Sequence, residues 1–109
     1  MDITLIMNGF KKMSAIENLK SFLGNNVLLI EYIQDPSHGW IKVPKNLCDG
    51  LKFSEFSYQF QEMYFLEEDL DASLFLDTLD QNQIKYEFKE IIFNDLSSIR
   101  RYERIQKLE

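Results

Sequence analysis

MYFLEEDLDASLFLDTLDQNQIKYEFKEII, residues 63–92, decides the fold. Met63–Glu67 is apolar and aromatic, the composition of a strand. Four carboxylates in five residues close it: Glu67, Glu68, Asp69 and Asp71. Ala72, Phe75, Leu76 and Leu79 then recur at helical spacing, which predicts a helix over about residues 69–81 with those side chains on its core side. Ile84, Tyr86 and Phe88 alternate with Lys85, Glu87 and Lys89, the period-two pattern of a strand with one wet face.

Working back toward the N-terminus, FSEFSYQFQ places Phe56, Tyr58 and Phe60 on one side of a strand and Ser57, Gln59 and Gln61 on the other. Core packing is the expectation for its aromatic row. A turn near Gln61-Glu62, without the usual Gly, joins it to Met63–Glu67. VLLIEYI (27–33) has the length and composition of a strand buried on both faces. The turn signals Asp35-Pro36 and His38-Gly39 join it as a hairpin to WIKV. PKNLCDGL reads as a short helix with Pro44 at its first position. MSAIENLKSFLGNN is the clearest helix: Ser14 and Glu17 form a capping box, Ile16, Leu19, Phe22 and Leu23 share a face, and Gly24 stops it. DITLIMN (2–8) has strand character, so residues 1–12 form either a peripheral strand or an extension. At the other end, LSSIRRYERIQKLE predicts a terminal helix capped by Ser97 or Ser98, with Arg100, Arg104 and Lys107 on one face. The sum is one domain spanning residues 1–109, of the α+β class: a largely antiparallel sheet of about five strands packed by two or three helices.

Composition narrows the class of function. Hydrophobic residues make up 45% of the chain, enough for a single core and against disorder. Cys48 is the single cysteine and cannot form an internal disulfide; a buried thiol in a reducing compartment is its expected role. No apolar run has the length of a membrane span, and the first residues lack the pattern of a signal peptide, so a cytoplasmic protein is expected. Net charge is −6, unevenly spread: Ser54–Leu96 carries eleven acids and two bases, net −9, while the rest is net +3. That acidic stretch would repel phosphates, which argues against direct nucleic-acid binding and for a basic protein partner.

The candidate site residues follow from this charge. Asp69 and Asp71 fall where a helix begins, where carboxylates accept unpaired amides and meet the positive end of the helix dipole. Glu67 and Glu68 are not explained that way. As consecutive strand residues they point to opposite faces, so only one can share a surface with the helix carboxylates. Glu67, Glu68, Asp69, Asp71, Asp77 and Asp80 are therefore the candidate binding set, with Trp40 as an aromatic anchor and His38 beside it. No catalytic residue, metal ligand or cofactor is assigned. A calcium loop is excluded by the spacing of EEDLD, and no nucleophile signature accompanies His38. The enzymatic alternative is a small divalent-metal-dependent hydrolase using His38 and the Glu67–Asp71 carboxylates. A further alternative is a homo-oligomeric accessory domain that pairs two copies through an edge strand.

Taken together, HGWIKVP (38–44), FSYQF (56–60), YFLEEDLDASLF (64–75) and SSIRRY (97–102) resemble a family of small uncharacterised proteins encoded by bacteriophages and other mobile elements. The shared pattern is of the type HGW-x-VP, then YSY, then YLEEDxD. This chain departs from it in Leu70 where the family has Cys, in Phe65 beside Tyr64, and in a turn without Gly. The resemblance implies no activity. It implies an accessory protein, one that inhibits a host nucleic-acid-handling or defence complex by presenting an acidic surface.

Overall fold

The computed structural model describes residues 14–106, and the expected strand at 2–8 lies outside them. In chain order the elements are α1 (Ala15–Leu23), β1 (Leu28–Gln34), β2 (Gly39–Pro44), a 3-10 turn (Lys45–Leu47), β3 (Tyr58–Phe60), β4 (Met63–Glu67), α2 (Asp71–Gln81), β5 (Tyr86–Ile92), a second 3-10 turn (Ser98–Arg101) and β6 (Glu103–Arg104). This is the expected α+β class, with six strands among the described residues rather than about five, in the order β5-β1-β2-β4-β3-β6.

Every pairing is antiparallel except one. β5 lies parallel to β1, with Leu28 opposite Tyr86 and Gln34 opposite Ile92. The sheet is therefore mixed. Parallel neighbours cannot be joined by a tight turn. α2 supplies the long connection, carrying the chain from β4 over β2 and β1 to the far edge.

Local chemistry explains most elements. The Ser14 hydroxyl accepts the Glu17 amide at 3.1 Å and starts α1, while Gly24, at φ 58°, ends it in a conformation that disfavours a side chain. Gln61, at φ 55°, takes the left-handed position of the β3–β4 turn that glycine usually fills. Pro44 closes β2 and precedes its 3-10 turn rather than opening an α-helix.

The two faces of the sheet are covered differently. On one face α1 and α2 bury Ile16, Ala72, Phe75 and Leu79 against Ile30, Ile41, Val43 and Leu66. On the other, Ile33, Trp40 and Phe65 pack with Ile99 from the C-terminal segment. That segment is not the expected helix. It is a 3-10 turn followed by the two-residue strand β6, because Arg100 is drawn out of line by Asp35. β1 is not buried on both faces either: Leu29 is exposed. Phe56 lies in a turn and Phe60 at a strand end, both exposed, so of the aromatic row only Tyr58 packs on the core, against the cluster of Ile33, Trp40 and Phe65. Phe60 instead stacks on Tyr102, with ring centroids 4.6 Å apart.

Candidate functional site

The acidic run divides between interior and exterior. Glu67 ends β4 opposite Trp40 and is 8% exposed. Its carboxylate accepts the amides of Asp69 at 2.8 Å and Leu70 at 3.0 Å, so Glu67 itself ties down the turn into α2. Asp71, 1% exposed, is the first residue of α2. It accepts the Ser54 amide at 3.0 Å, the Ser54 hydroxyl at 2.7 Å and the Ser57 hydroxyl, fastening the loop before β3 to the helix start. Ser57 in turn accepts the Glu67 amide at 2.9 Å. Both carboxylates are spent on internal amides and hydroxyls. They therefore contribute no contact to an outer acidic surface, which corrects the expectation that all six carboxylates gather there.

Glu68, Asp69, Asp77 and Asp80 are exposed. Glu68 points to the helix-covered face, opposite to Glu67 as strand alternation requires, and accepts the Tyr32 phenol. Gly39 makes room for this pair: a Cβ there would lie 2.7 Å from the Glu68 carboxylate and 2.7 Å from the Tyr32 ring. Tyr32 begins an aromatic row. Its ring lies 5.8 Å from Phe88, which lies 5.6 Å from Tyr86. Phe88 is 43% exposed because β5 is an edge strand among the described residues.

Carboxylates frame this row. Burial, the hydrogen bond to Glu68, and the charges of Glu68, Glu90 and Asp69 push the Tyr32 phenol up to about 12. Burial and the charges of Asp80 and Asp77 push the Tyr86 phenol up as well. The sequence did not mark Tyr32, Tyr86, Phe88 or Glu90. The period-two pattern of β5 was the available signal, but it pointed these rings inward.

A test of this electrostatic framing is alkaline titration. Glu68→Ala is expected to lower the Tyr32 pKa from about 12 toward the ordinary 10.0, while burial keeps it above that value. The phenolate absorbance band reports the change. The unfolded phenol ionises first, so this contribution to stability is complete below pH 10.0 and is lost as pH rises to about 12.

On the opposite face lies a pocket of about 400 Å³. Trp40, Tyr58 and Phe56 form its aromatic walls, Glu67, Asp69 and Leu70 border one side, and His38 stands at the edge. Arg100 lies over the Trp40 ring at 5.5 Å and Arg104 over Tyr58 at 5.3 Å. Trp40 is 2% exposed, so it is a packing residue, the role its type favours, and not the exposed anchor of the binding set. Its indole N–H has no hydrogen-bond partner among the described residues. The pocket thus brings together His38, Trp40, Glu67 and Asp69 from the expected set, and leaves out Asp77 and Asp80.

The tail arginines enter through a contact no local pattern signals. Asp35 accepts Arg100 through two nitrogens at 2.8 and 2.9 Å, along with the amides of Ser37, His38 and Ser97. The Arg100 guanidinium and those amides hold the Asp35 carboxyl far below the usual carboxylate range.

Catalytic chemistry finds little here. Among the described residues no group of three or more His, Cys, Asp or Glu side chains is placed to hold a metal ion. Cys48 is buried, and desolvation pushes its thiol up to about 12, which keeps it protonated. Among the described residues no helix is long and apolar enough to cross a membrane. No protein-family model, curated protein or solved structure matches the chain.

Proposed function

We propose that the protein is a non-enzymatic binding module that docks a basic protein partner on the face where α2 meets β5. The observation that carries this reading is the exposed Phe88, set between Tyr32 and Tyr86 and framed by Glu68, Asp69, Glu90, Asp77 and Asp80. An aromatic row offers apolar area and cation–π faces, worth about 0.5–1 kcal/mol each at exposed sites. Surrounding carboxylates add long-range attraction to Lys and Arg. Among the described residues β5 is an edge strand, which suits an extended segment of the partner. A second copy of this chain fits less well, since two net −6 molecules would set like charges against each other at this edge. The likeness to phage and mobile-element proteins adds the setting: a cytoplasmic accessory protein that occupies the basic groove of a host nucleic-acid-handling or defence complex.

A short Lys/Arg-rich peptide titrated into the protein by calorimetry tests the reading. Binding is expected at low ionic strength and should weaken steeply with added salt. The triple change Asp77→Lys, Asp80→Lys and Glu90→Lys is expected to weaken it about tenfold or more. Absence of binding at low salt, or equal affinity in the triple variant, contradicts the reading. Sedimentation at several protein concentrations separates the alternative occupant, since self-association at this edge would appear without any peptide.

A further inference from the structure

The pocket on the other face carries a separate inference. Two guanidinium groups and two carboxylates line it, yet they do not neutralise one another. The carboxylate partner of Arg100 is Asp35, outside the pocket lining. Arg104 gives one nitrogen to the Glu55 carbonyl and pairs with neither Glu67 nor Asp69. The Glu67 oxygens each accept one backbone amide, and the exposed Asp69 carboxylate has no hydrogen-bond or ion-pair partner among the described residues. The indole N–H of Trp40, a wall residue, is also without a partner. That leaves Arg104 and Asp69, of opposite charge and not paired with each other, facing one cavity, which matches a ligand that carries both signs. The exposed Phe56 and Leu70 and the half-buried Tyr58 give that ligand an apolar slot beside the buried Trp40, and about 400 Å³ lies in the range of small-molecule sites.

We propose that this pocket binds a free aromatic α-amino acid. Its ring lies against Phe56, Leu70 and Tyr58, next to the buried Trp40, its carboxylate meets the guanidinium of Arg104, and its ammonium meets Asp69. No bond is made or broken. The site opens on the face opposite the β5 aromatic row, shares with the residues framing that row only Asp69 at its rim, and does not depend on the protein-docking reading.

Trp40 is the single tryptophan, so its fluorescence reports the pocket directly. Three probes differ by one charge: L-phenylalanine, phenethylamine without the carboxylate, and 3-phenylpropanoate without the ammonium. L-Phenylalanine is expected to shift the Trp40 emission and release heat in calorimetry, with each analogue binding at least about tenfold more weakly. Asp69→Asn is expected to weaken L-phenylalanine about tenfold and to leave 3-phenylpropanoate unchanged. Arg104→Gln should do the reverse, sparing phenethylamine. Among the described residues the Asp69 side chain makes no hydrogen bond, so its variant keeps the test valid even where loss of the Arg104–Glu55 contact disturbs the fold. The inference is overturned if no probe binds, if all three bind equally, if either single-charge analogue binds more tightly than L-phenylalanine, or if Asp69→Asn leaves the affinity for L-phenylalanine unchanged.

Discussion

Asp71→Ala is expected to cost about 3–4 kcal/mol of stability, the largest effect of any change in the acidic run. The substitution removes the acceptor shared by the Ser54 amide, the Ser54 hydroxyl and the Ser57 hydroxyl. A buried donor left without a partner costs about 1–3 kcal/mol. Hydroxyls can turn toward other acceptors, and the Ser54 amide cannot, so the total falls short of three full penalties. Ser57 also holds the Glu67 amide, so the damage reaches the end of β4. Asp71→Asn keeps the shape and one acceptor oxygen, and about 1 kcal/mol is expected. Urea denaturation measures both, with an unchanged slope showing that stability alone has moved. Affinity of the folded protein for the basic peptide should stay the same in both variants, because Asp71 is not on the outer face.

Arg100→Ala is expected to cost about 2–3 kcal/mol. Asp35 would keep three backbone amides but lose the Arg100 guanidinium, and removing one partner of a buried pair strands the other charge. Arg100 is itself partly exposed, with 27% side-chain exposure, which keeps the figure below that of a fully buried pair. In a domain of this size the loss corresponds to roughly 10–15 °C in melting temperature. The pH dependence has a defined sign. The folded Asp35 carboxyl titrates far below its unfolded value of about 3.9, so its contribution is present above that pH and is lost as pH falls below it. The variant should therefore show a shallower loss of stability between about pH 4 and pH 2 than the parent protein. Calorimetric melts across that interval check the slope. Trp40 emission should also shift to the red, since Arg100 covers its ring.

These two side chains show what a sequence can and cannot disclose. The capping box at Ser14, the heptad-like face of α2 and the hairpin at Asp35–Gly39 are written in neighbouring residues, and each formed where its pattern placed it. Asp71 also looked local, a carboxylate at a helix start. Its partners stand 14 and 17 residues upstream, and no spacing rule points to them. Arg100 and Arg104 have the i, i+4 interval of a helical face, but Asp35, 65 residues earlier in the chain, sets the position of Arg100. The parallel pairing of β1 with β5 was equally hidden. Alternation of Tyr86 and Phe88 with Glu87 and Lys89 reads the same for a parallel edge strand as for an antiparallel one. Which strand lies beside β5 depends on how far α2 carries the chain.

The same distinction governs the function proposed. Glu67 and Asp71 serve the fold, while Glu68, Asp77, Asp80 and Glu90 remain outside around an exposed aromatic row. The most direct measurement is a residue-resolved NMR titration of the isotope-labelled protein with the Lys/Arg-rich peptide at low salt. The proposal expects amide shifts concentrated at residues 68, 77–80 and 86–90, disappearing at high salt. An absence of shifts at low salt, or shifts confined to the Trp40–Tyr58–Arg104 pocket, would contradict it.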